Sequence, residues 1–477
     1  MTLSSPFRPI DLATVVCGLV LACSETAEPG SSGAGGISGA GSSTGAGAGG
    51  STGGTATNAT GGTTLGGSAG QAGSTGVGGS AGSGGFGAGG TASGPDLSEE
   101  IYDATKLPRF DIELPPESIE ALQQVTGPDD PLQDEYVSAT LTYGTVTVSN
   151  IGLRIKGEGS FRSLDEKAPF KLKFDKFVDD QTFFGLKRLT LNNMVEDPSF
   201  LAERLAYDLF RHAGLPAPRA NSALLYVNGE FYGVYANVEA EDKTFLSRWF
   251  ASNDGNLYEE GQVDFVPGAE AEFDLETNET ANDRSDLAGL IAAIDGASDQ
   301  TFLDDVGSSL DTDQFLRFTA AEAAVNQWDM YAYTVFYPNN FRIYNDPTHG
   351  KFVFLPWGMD LSMKPFRDSD KPHIALFALA RQGDDANGPV SAGLIFRRCL
   401  ESPACVTAYR SAAASIIEAY ESADLEARAR AYYEQIKDQV VADPRKEYTQ
   451  QEFEQGYQGL LRTIEERPDA LRADLAE

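Results

Sequence analysis

The feature that most restricts the fold is a long stretch that cannot form a hydrophobic core. From Ser24 to about Gly94 the chain is almost entirely Gly, Ser, Ala and Thr, with almost no charge. Such a segment buries too little apolar surface to offset the entropy lost on ordering, so we expect a flexible tether. Its glycine patterns carry no phosphate-binding meaning, because no strand or helix flanks them. A folded domain is therefore predicted from Pro95 to Glu477, long enough for a substantial core.

A short apolar leader precedes the predicted tether. The run from Leu12 to Ala22 is too short to span a bilayer and has the length of a signal-peptide core. It leads into Val20-Leu21-Ala22-Cys23, which resembles a bacterial lipobox. We therefore expect a signal peptide over residues 1–22, lipidation of Cys23 and a disordered tether over residues 23–94, with an ordinary secretory signal as the alternative. The protein would be exported and would contact a membrane through its lipid anchor alone.

Charge and cysteine content restrict the possible partners. The formal net charge is −34, which argues against nucleic acid as a partner because a polyanion would be repelled. Cys399 and Cys405 predict a local disulfide in an exported chain, with two buried thiols as the alternative. Three histidines without clustered Cys/His spacing argue against a zinc site.

Hydrophobic periodicity predicts a β-rich first half of the domain. Alternating apolar residues indicate a strand and its hairpin partner over Tyr136–Ser149, continuing through Ile151–Lys156, and further antiparallel strands at Pro169–Phe174 and Leu186–Asn192. Helical spacing of apolar residues indicates a helix over Ser199–Ala213. The Asn228-Gly229 pair, between the strands Ala223–Val227 and Glu230–Tyr235, is the strongest hairpin signal in the chain.

The second half is predicted to be rich in helices. Four helices are expected, at Asp311–Asp329, Val406–Tyr420, Leu425–Val441 and Tyr448–Ala476. A strand pair, Phe341–Tyr344 and Phe352–Pro356, lies among them. The predicted class is therefore α+β, with a β-rich lobe over about 95–245 and a helical lobe over about 246–477.

Two acidic residues and an Asn pair carry the most chemistry. Asp329 ends a predicted helix, Asn339 and Asn340 precede one strand, and Asp360 follows the next. A carboxylate that accepts a hydroxyl proton, an Asn and a carboxylate that holds a divalent cation are the parts a phosphoryl-transfer site needs. The alternatives are a salt bridge for Asp329, a turn cap for Asp360 and turn hydrogen bonds for the Asn pair.

Several segments between Gly152 and Asp360 together resemble the CotH kinase family. They are Arg154-Ile155-Lys156-Gly157-x-Gly159-Ser160-x-Arg162, Lys167-x-Pro169-Phe170-Lys171-Leu172-Lys173-Phe174, Leu191-Asn192-Asn193 with Asp197, Ser199 and Glu203-Arg204-Leu205-Ala206, Tyr226-Val227-Asn228-Gly229-Glu230-x-x-Gly233-Val234-Tyr235-x-Asn237-x-Glu239, and Pro356-Trp357-Gly358-Met359-Asp360. The resemblance implies a bilobal, atypical protein-kinase-like fold. The chain departs from the family at Gly358, where the family pattern has an Asp.

The resemblance also implies roles for particular residues. The metal ligand would be Asp360, joined by Asn340 or Asn339, and Asp329 would orient or deprotonate the acceptor hydroxyl. The lysine that pairs the phosphates is expected to be Lys171, with Lys173 second and Lys167 as a further candidate. The remaining expected nucleotide contacts are Glu203 as the partner of that lysine, Arg204 as its alternative, the Gly157–Gly159 turn over the phosphates and Glu239 at the hinge. A plain hairpin turn and a salt bridge are the alternatives for the Gly turn and Glu239.

The implied function is transfer of the γ-phosphate of ATP, with Mg²⁺ or Mn²⁺, to Ser or Thr of a protein at the cell or spore surface. The protein itself would belong to the cell envelope or that surface. The alternatives are a surface or spore-coat protein of the same fold that binds without catalysis, and a nucleotidyl transferase, which would attack another phosphorus of the same triphosphate.

Overall fold

The computed structural model describes residues 96–334, 337–365, 373–378 and 393–477, together with the backbone of Val390 and Ser391. These residues belong to one structural unit, Ala81–Glu477. The predicted leader, Cys23 and the predicted tether lie outside the described residues.

The first seven strands form a closed barrel in the order β1-β2-β3-β4-β5-β7-β6. The strands are β1 (Arg109–Glu113), β2 (Val137–Tyr143), β3 (Val146–Ile155), β4 (Phe170–Lys173), β5 (Arg188–Asn192), β6 (Ala220–Val227) and β7 (Glu230–Val238). Neighbouring strands are antiparallel except where β1 closes the barrel against β6 in parallel. Closure pairs the strand edges, which would otherwise be open to other chains.

The barrel strands have an apolar and a polar face. Leu153, Phe170 and Leu191 belong to the barrel core, as their alternation with polar residues predicts. On the opposite face, Arg154 of β3 lies beside Lys171 of β4, and Lys171 lies beside Thr190 of β5. The strands therefore have a row of polar side chains on the face opposite the barrel core.

The other elements are mostly helical. The helices are α1 (Glu99–Tyr102), α2 (Pro116–Leu122), α3 (Ala202–His212), α4 (Lys243–Trp249), α5 (Ser285–Gly296), α6 (Phe302–Val306), α7 (Thr312–Ala324), α8 (Leu394–Glu401), α9 (Pro403–Ser422), α10 (Leu425–Ala442) and α11 (Gln450–Ala476). Three 3₁₀ turns cover Pro131–Asp134, Ala269–Ala271 and Met359–Leu361. The remaining strands are β8 (Leu257–Glu259), β9 (Asp274–Leu275), β10 (Tyr333–Thr334), β11 (Phe341–Asp346), β12 (Lys351–Pro356) and β13 (Val390–Ser391). The predicted α+β class is confirmed.

The described residues also form a second sheet and a second hydrophobic core. The sheet has the order β12-β11-β8-β9, and β10 pairs separately with β13. The second core joins α3 to the later helices through residues such as Leu205, Phe318, Ile416 and Leu460. Among the described residues, no helix combines the length and the apolar character that crossing a bilayer requires. Cys399 and Cys405 form a disulfide between α8 and α9.

Helix α7 is shorter than predicted, which changes the setting of Asp329. The helix ends at Ala324, and Asn326 adopts a left-handed conformation with φ +56°. The Asn326 amide donates to the carbonyl of Lys364 and accepts the backbone N–H of Ile374. The left-handed backbone of Asn326 ends the helix, and Asn is one of the residues that adopt this conformation at low cost. Asp329 therefore lies in the loop beyond α7 and does not end the helix itself.

Candidate functional site

The Asn pair holds the Asp329 carboxylate. The Nδ2 of Asn340 donates to Asp329 Oδ2 at 2.9 Å and to the Asp329 carbonyl at 2.7 Å, while Asn339 Nδ2 donates to Oδ2 at 3.2 Å. Burial raises the pKa of Asp329 to about 6, and the charge of Asp360 acts in the same direction against these hydrogen bonds. The structure therefore brings together three residues predicted from sequence, in a loop that orients one carboxylate.

The Asn340 side chain occupies the space that a side chain at position 358 would need. Gly358 has φ +58°, and a Cβ added there would lie 2.7 Å from Asn340 Cγ and closer still to Oδ1. Asn340 is itself left-handed, with φ +51°. The glycine that departs from the family pattern is therefore required by the position of Asn340 in this chain.

Asp360 belongs to an acidic cluster, defined here as Glu196, Glu203 and Asp360. It lies in the 3₁₀ turn Met359–Leu361, which packs against α3. Burial, together with the charge of Asp360, raises the pKa of Glu203 to about 8. The pKa of Glu196 is raised by the same two causes. These carboxylates repel one another, so the cluster would be stabilised by a bound cation.

A half-buried lysine lies beside this cluster. Lys156 Nζ donates to Asn192 Oδ1 at 2.6 Å, and Asn192 Nδ2 donates to both carboxylate oxygens of Glu203 at 2.8 and 2.9 Å. Burial lowers the pKa of Lys156, whereas Glu203 and Asp360 favour its charged form. Asn192 thus links the ammonium of Lys156 to Glu203.

Sequence reasoning missed Lys156 as a site residue. It follows β3, where Leu153 and Ile155 point into the core, so the alternation that places Arg154 on the polar face places Lys156 there too. Its position directly before the Gly157–Gly159 turn was the signal that could have identified it.

The glycine turn after Lys156 lies near the acidic groups. Gly157 has φ +94°, and an added Cβ would meet Ser160 Oγ at 2.5 Å. The charge of Glu158 contributes to the raised pKa of Asp329. A Cβ on Gly159 would lie 3.9 Å from Glu196 Oε1. The turn therefore lies beside Glu196, and the charge of Glu158 within it influences Asp329.

A polar cavity of about 590 Å³ adjoins Lys156. Arg154, Lys171 and Lys173 line it from the barrel. On the other side it is lined by Trp357, whose ring centroid is 5.9 Å from Lys156 Nζ, and by Arg342, which ion-pairs with Glu241 and Glu259. Burial lowers the pKa of Lys171 to about 8, with Glu259 acting in the opposite direction. Lys171 and Lys173 are thus placed in this cavity, and Lys156 beside the acidic cluster.

Three other predicted nucleotide contacts have protein partners. The buried Lys167 pairs with Asp443 at 2.6 Å. Arg204 donates to Gln435 at 2.9 Å and stacks on the Tyr432 ring. Glu239 forms ion pairs with Arg219 and Arg248. None of the partners named here for Lys167, Arg204 and Glu239 belongs to the acidic cluster around Asp360.

Asp360 is a carboxylate that could contribute to binding of Mg²⁺ without forming a complete protein site. In the part of the chain that the structure describes, no three Asp, Glu, His or Cys side chains converge as a group that could hold a metal ion. Mg²⁺ commonly binds one or two carboxylates and takes its other ligands from water and phosphate. Asp360, with the repulsion of its acidic neighbours to relieve, matches that mode. Asn339 and Asn340 donate to Asp329 through Nδ2, so a metal contact from either would have to use Oδ1.

The chain resembles known proteins over most of its described length. Residues 153–471 match the family described as CotH kinase protein. The inner spore coat protein H of Bacillus subtilis is 22% identical over 387 residues, which cover 79% of this chain and 99% of that protein. Spore coat protein homolog 1 of Rhizopus delemar is 24% identical over 258 residues, which cover 50% of this chain and 39% of that protein.

Two solved structures share weaker similarity. The Helicobacter pylori proinflammatory kinase CtkA has a TM-score of 0.30 and 10% identity, over 68% of this chain and 96% of that chain. The HipA, HipB and operator DNA complex of Shewanella oneidensis has a TM-score of 0.25 and 12% identity, over 61% of each chain. The family match covers more than half of this sequence, and the chain therefore belongs to the CotH kinase family.

Proposed function

We propose that this protein binds ATP with Mg²⁺ or Mn²⁺ and transfers the γ-phosphate to a Ser or Thr hydroxyl of a protein at the cell or spore surface. The observation that carries the proposal is the chain of contacts from Lys156 through Asn192 to Glu203, beside Asp360. It supplies a positive and a negative group side by side, as triphosphate and metal binding require.

Lys156 is the proposed phosphate ligand. Its ammonium is held by Asn192, so the side chain is oriented before the nucleotide arrives. Burial makes its attraction for a phosphate oxygen stronger than in water. Glu203 acts through Asn192 and favours the charged form of Lys156. The resemblance placed this role on Lys171, but the acidic partners that the role needs surround Lys156.

Asp360 is the proposed metal ligand, with Glu203 or Glu196 nearby to add a second carboxylate. A bound divalent cation would neutralise negative charge on the triphosphate as the γ-phosphate transfers. The described structure supports this assignment through the acidic cluster and through the Mg²⁺ preference for carboxylate oxygens.

Asp329 is the proposed base. With a pKa of about 6 it is mostly ionised at neutral pH, and it can still accept the acceptor hydroxyl's proton. Asn339 and Asn340 hold one of its oxygens, which fixes the direction of the other. The polar cavity beside Trp357 is large enough for a nucleoside, because ligand pockets typically measure about 300–1,000 Å³.

The surface location is proposed from the names of the spore coat relatives and from the leader predicted by the sequence. The proposed acceptor is a surface protein, the proposed membrane contact is the lipid anchor on Cys23, and nucleic acid is not a proposed partner because of the net charge of −34.

The test is transfer of label from ATP carrying it at the α or the γ position. The protein is incubated with Mg²⁺, each labelled ATP and an extract of surface proteins. We expect label from the γ position on Ser or Thr. Label from the α position would instead show nucleotidyl transfer. No transfer, together with no rise in melting temperature on addition of ATP and Mg²⁺, would favour the binding role.

A further inference from the structure

Glu260, directly after β8, contacts the site but belongs to none of the family-like segments. Its Oε1 accepts the backbone N–H of Asn340 at 2.9 Å. Its Oε2 is buried and has no hydrogen-bond partner among the described residues. A buried carboxylate oxygen without a hydrogen bond is costly, so its presence here calls for an explanation.

The contact occurs where the sheet ladder ends. β8 pairs with β11 up to Glu259 opposite Arg342, and β11 begins at Phe341. The next N–H outward belongs to Asn340, and the side chain of Glu260 accepts it in place of a strand carbonyl. Glu260 therefore extends the support of the sheet by one residue, to the residue that bonds Asp329.

Asn340 needs such support because both Asp329 and Trp357 form hydrogen bonds with it. It adopts φ +51°, its Nδ2 makes two bonds to Asp329, and its carbonyl accepts the N–H of Trp357 at 3.0 Å. Trp357 leads directly into the segment that ends at Asp360. A displacement of the Asn340 backbone would therefore move Asp329 and disturb the approach to Asp360.

We propose that Glu260 is a positioning residue for phosphoryl transfer, which acts through Asn340 to hold the Asp329 carboxylate in place. The inference rests on the proposed function. Glu260 would touch neither nucleotide nor acceptor. Glu260 is not needed as an ion-pair partner of Arg342, because Arg342 pairs with Glu241 at 3.1 Å and with Glu259 at 2.8 Å.

The test compares Glu260→Ala with Glu260→Gln, which retains a side-chain oxygen to accept the Asn340 N–H. Asp286→Asn is the matched control, since Asp286 contacts Tyr258 of β8 and Asn345 of β11 at the other end of the same strand pair. We expect Glu260→Ala to lower kcat by about 10–100-fold, the usual effect of losing an outer support, with little change in KM for ATP. Glu260→Gln and Asp286→Asn should stay within about threefold of the original kcat.

Hydrogen exchange at the Asn340 amide gives a readout that does not need activity. Its exchange should be slow in the original protein and in Glu260→Gln, and faster in Glu260→Ala. Equal kcat in Glu260→Ala and the original protein, or equal loss in both Glu260 variants, would overturn the proposal. Absence of transfer in the original protein would refute the proposed function, and with it the role of Glu260 in positioning Asp329 for transfer. The exchange rates would still decide whether Glu260 holds Asn340.

Discussion

Lys156 and Lys171 both lie on the polar face of the barrel, but their neighbours differ. Lys156 is beside Asn192, Glu203 and Asp360, whereas the nearest acidic influence on Lys171 is Glu259. If Asp360 binds the metal as proposed, the phosphate ligand is expected to be the lysine that shares its surroundings. The structure thus favours Lys156 for the role first given to Lys171.

Replacing each lysine separately tests this choice. Lys156→Met should weaken ATP binding by on the order of 100-fold, because the charge proposed to pair with phosphate is removed. Lys171→Met should weaken it much less, and Lys173→Met, two residues along the same strand face, serves as the control. Titration calorimetry with ATP and Mg²⁺ measures all three. The reverse order, with Lys171→Met the most damaging, would restore the ranking made from sequence.

The grouping of Asp329 with the Asn pair could be predicted because these residues are close in sequence. The polar partners of Lys156 could not be predicted in this way. Periodicity places Lys156 on the face of Arg154 and Lys171 on the face of Lys173, since residues two apart along one strand point the same way. It does not show that Asn192 or Glu203 lies across from one of them, because those residues come from a later strand and a helix. Strand alternation therefore indicates which face a lysine occupies, but the sequence does not indicate which residues from later elements lie next to it.

At the scale of elements, the loop after β12 and the loop before β11 must fit against each other. Gly358 and Asn340 are both left-handed and lie in contact. The sequence predicted the β11–β12 pair, which the register from Phe341 with Pro356 to Asp346 with Lys351 confirms. The contact between their outer loops depends on backbone conformations that periodicity does not report.

Gly358→Ala should therefore damage both stability and transfer. The added Cβ meets the Asn340 side chain and also sits at a positive φ, so we expect a loss of about 1–3 kcal/mol in the free energy of unfolding and a lower kcat. Gly350→Ala is the matched control, with φ +64° in the β11–β12 turn and no atom within 4 Å of its Cβ. Urea unfolding and transfer assays compare the two. Equal effects in both variants would mean that backbone strain alone matters and that the Asn340 contact does not.

At the scale of the whole molecule, several buried carboxylates make stability depend on pH. Burial raises the pKa of Glu203, Glu241 and Glu322 to about 8 from an ordinary value of 4.5. Between these values the folded protein holds more protons than the unfolded chain, so stability falls as pH rises. The strongly negative net charge acts in the same direction.

We expect the free energy of unfolding to decrease from about pH 5 to about pH 8 and then to level off. Glu322 tests the cause, since its carboxylate accepts the N–H groups of Ala332 and Tyr333, and a Gln oxygen can accept the same bonds. Glu322→Gln should flatten part of the slope in urea unfolding measured across this range. An unchanged slope in the variant would assign the pH dependence to other groups.

The α+β class and the change from a β-rich to a helix-rich half were predictable from sequence, whereas closure of the barrel was not. The Asn228-Gly229 hairpin and the alternation in β4 are local signals, and both appear in the structure as β6–β7 and β4. Closure depends on parallel pairing of Arg109–Ile112 with Leu224–Val227. Such a contact joins distant parts of the chain, and no local pattern encodes it.

The most direct test of the central claim is the rise in melting temperature that ATP with Mg²⁺ produces in Asp360→Asn and Asp329→Asn. We expect Asp360→Asn to lose the Mg²⁺-dependent part of the rise, because the metal ligand is gone. Asp329→Asn should keep the rise and lose γ-phosphate transfer, because only the base is gone. A full Mg²⁺-dependent rise in Asp360→Asn, with transfer intact, would contradict the assignment of this site.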